Sequence, residues 1–230
     1  MFFKTFYSYG LVGVSVIIPT LNERETLPEL LKELRAIGID EIVVVDDGSD
    51  DGTVEFLLAQ PDVRLVRRWQ RDFSSAFLAG VQAASHEWVV LMDADLQHPP
   101  EVIKRMLPKM KDCDLIVASR YVPGGAVSNW SIFRLFLSKV AVFLFRLIPT
   151  IARTTDPMSG FFAVKKRFVP PNLHHRGFKV LVEILRANPD IKVCDVPYVF
   201  LERRAGKSKI SVALVLVILL QFLECVFSKK

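Results

Sequence analysis

Two acidic side chains one residue apart are the most prominent chemical feature of the sequence. Asp93 and Asp95 flank Ala94 and follow the apolar run 88–92, which has the composition of a buried strand. Carboxylates at a strand-to-loop turn can converge on one hard divalent cation, and such a cation often also binds substrate phosphates. A solvated turn carries the same pattern. The strand that leads into the pair favours a Mg²⁺ or Mn²⁺ site.

A second acidic turn runs from Asp46 to Thr53, at the end of the predicted strand 41–46. In an ordinary strand-to-helix turn, Asp51 or Thr53 would simply cap the next helix. Two acidic turns in one sheet favour a shared ligand site over two unrelated caps. Ligands of open α/β sheets bind beyond the carboxyl ends of the strands, where both turns would lie.

Strands and helices alternate over the first half of the chain. Short β-branched runs predict strands, and apolar residues at helical spacing predict helices. The predicted strands are 14–19, 41–46, 63–66, 88–92 and 114–118, and the predicted helices are 26–37, 53–59, 74–84 and 100–110. This order predicts an α/β fold with a mostly parallel sheet built from right-handed βαβ units.

Composition and missing motifs exclude several classes of protein. A net charge of +5 suits an anionic partner, such as a phosphorylated substrate or a membrane surface. Cys113, Cys194 and Cys225 form no C-x-x-C pair, so we expect neither a zinc site nor a disulfide framework, in a reducing cytosolic setting. The turn 19–23 contains neither a P-loop nor a G-x-G-x-x-G motif, which disfavours P-loop NTPases and dinucleotide-binding dehydrogenases.

Three blocks of the sequence, in this order and spacing, resemble the family 2 glycosyltransferases of the GT-A fold. The blocks are residues 16–23, 45–53 and 92–101, the last reading Met-Asp-Ala-Asp-Leu-Gln-His-Pro-Pro-Glu. Four later pieces resemble the dolichyl-phosphate mannose synthases, which are polyprenyl-phosphate hexose synthases within that family. These pieces are residues 119–121, 156–162, 177–185 and 203–209. The resemblance implies a Rossmann-like GT-A sheet flanked by helices.

The resemblance also implies a nucleotide-sugar site at the two acidic turns. The implied donor-binding residues are Pro19, Leu21, Glu23, Asp47, Asp93, Ala94, Gln97 and Lys209. Within the site, Asp93, Asp95 and Gln97 would hold the metal and its attached diphosphate, and Asp95 and Arg203 would be catalytic. Two places depart from the family pattern: Leu21 replaces a frequent aromatic residue, and residues 71–76 replace a glycine-bearing segment. The base preference and local donor contacts therefore stay open.

The implied acceptor is a polyprenyl or dolichyl phosphate. A phosphate monoester has a second pKa of about 6, so near neutral pH it is largely ionised and needs no general base. It needs cations that hold it in line with the sugar carbon, and arginine binds phosphate through two parallel bonds. The predicted acceptor-phosphate residues are Arg120, Arg134, Ser138 and Arg203. Arg134 and Ser138 are four residues apart and would share a helix face.

Two apolar segments follow in the second half of the chain. Residues 131–148 mix apolar and basic side chains, which predicts a helix in the membrane interface; a core helix packed on the sheet is the alternative. Residues 210–227 are apolar except for three polar positions, including Gln221 and Glu224. As a helix this segment would extend over about 27 Å, slightly less than a bilayer core of about 30 Å. We expect it to lie in the membrane plane rather than to span it.

These features predict an N-terminal arm at 1–13, a catalytic domain at 14–209 and a membrane-associating helix at 210–230.

The predicted reaction transfers mannose from GDP-mannose to dolichyl or polyprenyl phosphate, with inversion, using Mg²⁺ or Mn²⁺. It would take place at the cytoplasmic face of a membrane, with no nucleic acid involved. The nearest alternative is a glucose or other hexose synthase that uses a UDP-sugar. A sugar nucleotidyltransferase would need a glycine-rich, lysine-bearing loop at 19–23, and a non-catalytic membrane-bound scaffold would not need the acidic turn or Arg203.

Overall fold

The computed structural model of the chain describes residues 13–173, 179–202 and 212–227, without the side chains of 212–217 and 219. Arg203, Lys209 and all but the last residue of the predicted N-terminal arm lie outside the described residues.

The chain alternates strands and helices, as its apolar periodicity predicts. The strands are β1 Val14–Thr20, β2 Glu41–Asp46, β3 Val63–Arg67, β4 Trp88–Leu91, β5 Leu115–Ser119, β6 Ala126–Val127, β7 Phe162–Lys165, β8 Val193–Pro197 and β9 Val199–Phe200. The helices are α1 Leu27–Ala36, α2 Thr53–Leu58, α3 Phe73–Ala83, α4 Val102–Met106, α5 Ile132–Arg146, α6 Val180–Ala187 and α7 Val212–Phe227. Short 3-10 helices occupy Leu107–Lys111 and Lys166–Phe168.

Seven of the strands form one twisted sheet in the order β3-β2-β1-β4-β7-β5-β8. Every neighbouring pair is parallel except those of β7, which is antiparallel to both β4 and β5. The strands β6 and β9 form a separate parallel pair. The predicted α/β class and mostly parallel sheet are confirmed, and the antiparallel strand in the middle comes from the half of the chain for which no strands were predicted.

Apolar side chains cover both faces of the sheet. Alternate residues of β1 point to opposite sides, so Val16 and Ile18 pack on the side of α1 while Ile17 packs on the side of α3. Gly80 of α3 lies directly on Ile17, in a place where a Cβ would collide with the isoleucine side chain. The missing side chain at Gly80 therefore lets α3 pack closely against the centre of the sheet.

Two predictions for the region around β5 are wrong. The helix predicted over 100–110 is divided into α4 and a 3-10 helix, because Pro108 lacks the N–H that a continuous α-helix needs. Cys113 and Cys194 form a disulfide although none was expected. They are 81 residues apart in sequence, but β8 pairs with β5 so that Cys194 lies opposite Ile116, and the two cysteine Cα atoms come within 6.1 Å.

The helix α5 is exposed at about half of its positions, and its place in a membrane interface stays a prediction. It buries Val142 and Phe145, and Phe145 packs edge-on against Phe222 of α7 with ring centroids 5.6 Å apart. The large apolar side chains that α5 and the residue after it expose are Ile132, Phe133, Phe136, Val140, Phe143 and Leu147. Within the described ranges, no helix is long and apolar enough to cross a bilayer.

Candidate active site

The two turns predicted to hold the nucleoside are hydrogen-bonded to each other. The strands β1 and β2 are parallel neighbours, so the turns that follow them leave the sheet side by side. The backbone N–H and side-chain amide of Asn22 donate to Ser49 Oγ and Asp50 Oδ1, both at 2.9 Å, and Asp50 N–H donates back to Asn22 Oδ1. Glu23 N–H donates to Thr53 Oγ1 at 3.2 Å. The two turns therefore form one wall with a fixed shape.

Asp47 connects this wall to the segment after β3. Its Oδ1 accepts from Arg68 Nε at 3.1 Å and from Gln70 N–H at 2.8 Å, and its Oδ2 accepts from Asp72 N–H at 2.9 Å. Asp72 in turn caps α3 by accepting from Ser75 N–H. The predicted nucleoside residue Asp47 thus lines the site and also holds in place the 71–76 segment, whose sequence departs from the family pattern.

The acidic turn 93–95 follows β4 with only Met92 between them. Asp95 is 2% exposed, and its Oδ1 accepts from Gln97 N–H at 3.1 Å, while the Asp93 side chain is 37% exposed. Leu96 adopts a left-handed conformation with φ +61°, which reverses the chain sharply after the turn. The result is one buried and one accessible carboxylate at the edge of the sheet.

His98 stabilises the backbone of the acidic turn. Its Nδ1 accepts from Asp93 N–H at 3.0 Å, and its ring stacks on Phe161 with centroids 5.1 Å apart. Burial lowers the pKa of His98 to about 4, against the opposing effect of Asp95, so the imidazole is neutral near pH 7. A neutral ring that accepts at Nδ1 carries its proton at Nε2. His98 belongs to block 92–101, but the sequence pattern did not indicate this supporting contact.

A cleft of about 480 Å³ joins the nucleoside wall to the acidic turn. Seven of the predicted donor and metal residues line it: Pro19, Leu21, Glu23, Asp47, Asp93, Ala94 and Asp95. The cleft also has lining residues to which the sequence assigned no role, among them Arg71, Phe73, Ser159, Gly160 and Lys179. The last three belong to blocks 156–162 and 177–185, so the family-like pattern was the available signal.

Gln97 lies behind the acidic turn and is absent from the cleft lining. The side-chain Nε2 of Gln97 donates to the carbonyl of Leu201 at 3.0 Å, and the backbone carbonyl of Gln97 accepts from Leu201 N–H at 3.1 Å. The chain just before Arg203 is therefore attached to the acidic turn, two residues from Asp95. The role of Gln97 as a metal ligand stays a prediction.

Arg120 is nearly buried and paired with Asp156. Its Nε and Nη2 donate to the two carboxylate oxygens at 2.7 and 2.8 Å, and its backbone N–H donates to the same group at 3.1 Å. Burial alone would lower the pKa of Arg120, but the hydrogen bonds and charge of Asp156 raise it above its ordinary value. The side chain is a permanent cation with a fixed orientation.

The structure brings the other described acceptor candidates close to Arg120. Trp130 contacts two guanidinium groups, with the Cζ of Arg134 at 4.1 Å and that of Arg120 at 5.4 Å from its ring centroids. Ser138 on α5 shares a 2.8 Å hydrogen bond with the hydroxyl of Tyr121. Arg120, Arg134 and Ser138 therefore belong to one region around Trp130 and the start of α5.

The oxygen donors of the acidic turn are compatible with a divalent cation. The carboxylates of Asp93 and Asp95 are hard oxygen donors at the wall of an open cleft, where a bound cation would keep coordination positions for phosphate oxygens and water. In the part of the chain that the structure describes, no group of three or more His, Cys, Asp and Glu side chains is placed to enclose a metal by itself. The arrangement matches a cation shared between protein and substrate.

Residues 15–169 match the sequence pattern described as Glycosyl transferase family 2. The chain therefore belongs to this family, as its three motif blocks predicted. It is 45% identical to the dolichol-phosphate mannosyltransferase of Pyrococcus furiosus over 207 residues, which cover 86% of this chain and 59% of that relative. It is 35% identical to the dolichol-phosphate mannosyltransferase of Saccharomyces cerevisiae over 235 residues, which cover 93% of this chain and 86% of the yeast protein. The predicted kinship with the dolichyl-phosphate mannose synthases is confirmed.

Solved structures share the same architecture. Glucosyl-3-phosphoglycerate synthase from Mycobacterium tuberculosis, in complex with Mn²⁺, uridine diphosphate and phosphoglyceric acid, aligns with a TM-score of 0.74 at 18% identity. That alignment covers 95% of this chain and 80% of the other. The same enzyme in complex with Mg²⁺ and uridine diphosphate aligns with a TM-score of 0.69 at 20% identity, over 95% of this chain and 81% of the other. At this identity the likeness concerns the fold, and the predicted GT-A fold is confirmed.

Proposed function

We propose that the protein transfers mannose from GDP-mannose to a polyprenyl or dolichyl phosphate, with inversion at the sugar carbon. The observation that carries the proposal is the single cleft that joins the nucleoside wall to the Asp93–Asp95 turn. A cleft of this kind suits a nucleoside diphosphate sugar whose base lies at one end and whose diphosphate lies at the acidic turn. Mannose and dolichol phosphate are suggested by the names of the two mannosyltransferase relatives.

In this proposal Asp93 and Asp95, with Gln97, hold Mg²⁺ or Mn²⁺, and Lys209 assists on the donor diphosphate. When bound, such a cation offsets the negative charge that builds on the leaving diphosphate. The protein contributes the shape of the turn, because His98 holds the Asp93 backbone and Gln97 N–H holds the Asp95 carboxylate. Pro19, Leu21, Glu23 and Asp47 form the nucleoside end of the cleft.

The acceptor phosphate is the nucleophile. One of its oxygens forms a bond to the anomeric carbon while the bond from that carbon to the nucleoside diphosphate breaks, so no proton has to be removed from the acceptor. Arg120, Arg134 and Arg203 supply positive charge that orients the acceptor, with Ser138 assisting. The ion pair with Asp156 fixes the direction of Arg120 before the acceptor arrives, which reduces the entropy lost when the reacting atoms meet.

The lipid part of the acceptor suggests where the protein works. The exposed apolar face of α5 begins beside Arg134 and continues for four helical turns, and α7 packs next to it. An apolar helix face bordered by basic side chains suits the interface of a membrane with anionic lipids. We place the protein on a membrane surface with α5 and α7 in the interface and with its cleft on the cytoplasmic side.

A donor and acceptor screen tests the proposal. The protein is incubated with GDP-mannose, UDP-glucose or UDP-N-acetylglucosamine, a polyprenyl phosphate and Mg²⁺ or Mn²⁺, and lipid-linked sugar is measured by extraction and mass spectrometry. We expect mannosyl phosphate lipid from GDP-mannose. Glucosyl lipid from UDP-glucose alone would establish the glucose synthase instead. No lipid-linked sugar from any donor would overturn the proposal and favour the scaffold.

A further inference from the structure

Gln221 is a buried amide in the mostly apolar helix α7. It is 3% exposed, whereas its neighbours Leu220 and Leu223 on α7 are 56% and 46% exposed. Its Oε1 accepts from the backbone N–H of Lys179 at 2.9 Å, and its Nε2 donates to the carbonyl of Lys179 at 3.2 Å. The burial of this polar group is thus compensated by two hydrogen bonds to one residue of another element.

A pair of hydrogen bonds to the N–H and C=O of the same residue restrains both peptide planes around its Cα. Lys179 is the residue before the first turn of α6, with φ −74° and ψ 108°. Fixing these two angles fixes the direction of the Cα–Cβ bond, and hence where the lysine side chain can reach. Gln221 therefore acts on the placement of the Lys179 side chain while lying outside the cleft lining itself.

Lys179 lines the cleft together with Asp93, Ser159 and Gly160. A Cβ placed on Gly160 would be 4.0 Å from Asp93 Oδ2, so this part of the cleft adjoins the acidic turn. Burial and the charge of Arg120 lower the pKa of Lys179, and the carboxylates of Asp93 and Asp156 oppose that effect. An ammonium group beside another cation gains most from an anionic partner such as a phosphate oxygen.

We propose that Gln221 is a positioning residue that holds Lys179 in the cleft, where the lysine ammonium binds a phosphate oxygen of the donor or the acceptor. The proposal rests on the proposed function and adds a physical connection from α7, a helix next to the exposed face of α5, to the active site. Loss of the hydrogen bonds from Gln221 would move the Lys179 side chain although no residue of the cleft is substituted.

A double-mutant cycle tests the connection. We expect Gln221→Ala to lower kcat/KM about tenfold, since two hydrogen bonds of ordinary strength are lost. Lys179→Met should lower it at least as far, and the double variant should be no worse than Lys179→Met alone, because Gln221 acts through the lysine. A rise in the donor KM would assign the donor diphosphate, and a rise in the acceptor KM the acceptor phosphate. Additive losses, or wild-type kinetics in Gln221→Ala, would overturn the proposal.

Glu224→Ala is the matched control, because Glu224 is an exposed polar residue on the same helix and should leave kinetics unchanged. A readout that does not depend on turnover separates this inference from the proposed function. Hydrogen exchange in residues 179–187 should be faster in Gln221→Ala than in Glu224→Ala. If Gln221→Ala does not fold, Gln221→Glu, which keeps the acceptor for Lys179 N–H, takes its place. Equal exchange in variant and control would refute the connection even if the wild-type protein transfers no sugar.

Discussion

The carboxylate of Asp156 holds the guanidinium of Arg120 through two side-chain hydrogen bonds, Nε to Oδ2 at 2.7 Å and Nη2 to Oδ1 at 2.8 Å. The carboxylate is fully buried and the arginine side chain is 7% exposed. Beyond this pair, Trp130 and Phe200 also lie within 6 Å of the guanidinium. The positive charge of Arg120 therefore lies in a largely apolar environment. Among these neighbours, only Asp156 carries an opposite charge.

We expect Asp156→Asn to destabilise the fold by about 3–5 kcal/mol, because it leaves a buried guanidinium without its opposite charge. Urea denaturation followed by circular dichroism measures the difference. The matched control is Asp62→Asn, which breaks the pair between Arg35 and Asp62 at the surface, where the side chains are 39% and 50% exposed. That change should cost less than about 1 kcal/mol. Equal losses in the two variants would show that the buried pair is no more important than the exposed one.

The neutral state of His98 predicts how stability depends on pH. The pKa of its imidazole is lowered from 6.5 to about 4, chiefly by burial. The unfolded chain therefore binds a proton at higher pH than the folded chain, and stability is lost as pH falls from 6.5 toward 4. The loss from this one group reaches about 3 kcal/mol at the lower limit.

Urea denaturation in a chelating buffer at pH 7 and pH 4.5 measures this loss for the metal-free protein. His98→Asn should remove most of the loss of stability between pH 7 and pH 4.5 that His98 causes. The control is His86→Asn, a change at a half-buried histidine, which should leave that loss in place. An unchanged pH dependence in His98→Asn would contradict the prediction.

The sequence could predict that the donor-side candidates would come together at one cleft, because they lie in contiguous blocks at strand ends. The turns at Pro19, Asp47 and Asp93 each follow an apolar run, and parallel strands bring such turns to one edge. Lys179 and Gln221 were not predicted, since their effect depends on how α6 and α7 pack together. The family-like block 177–185 contained Lys179, but no local pattern connects it to Gln221.

In the fold, too, the features set by local sequence were predicted, and those set by contacts between distant segments were not. Apolar periodicity predicted β1 to β5 and α1 to α3 within a few residues. It did not predict the insertion of β7 between β4 and β5, since pairing order depends on contacts between distant segments. The disulfide between Cys113 and Cys194 was missed for the same reason, because the register of β5 and β8 brings the two cysteines together.

The exposed face of α5 predicts binding to membranes. Phe136 and Phe143 lie on this face at 62% and 65% exposure, and burial of each phenylalanine in the interface would contribute about 1.5–3 kcal/mol. We expect Phe136→Ser with Phe143→Ser to lower the fraction bound to vesicles containing anionic lipid by at least about tenfold. Co-sedimentation measures it, and Leu58→Ser, a change at an exposed leucine on α2, is the control. Equal binding of variant and control would place the membrane contact elsewhere.

Arg203 is predicted to act on the acceptor rather than on the donor. In the sequence it comes two residues after Leu201, whose carbonyl accepts a hydrogen bond from Gln97 of the segment that follows the acidic turn. We expect Arg203→Ala to reduce sugar transfer by about 10²-fold or more while nucleotide affinity changes little, because it removes charge that orients the attacking phosphate. Calorimetry with GDP and Mn²⁺ measures the affinity, and a single-turnover assay measures transfer. Weakened nucleotide binding with intact transfer of bound donor would refute this role.

Asp95→Ala, in contrast to Arg203→Ala, is predicted to weaken binding on the donor side. Its side chain is buried beside the cleft and accepts a hydrogen bond from Gln97 N–H, so its loss removes a metal ligand and loosens the turn without opening the apolar core. We expect transfer to fall below detection while the unfolding midpoint shifts by only a few degrees, since each hydrogen bond that is lost costs about 1 kcal/mol. Calorimetric titration of Mn²⁺ with GDP should show weaker binding in this variant than in Arg203→Ala. Full transfer by Asp95→Ala would refute the assignment of Asp95 as a metal ligand.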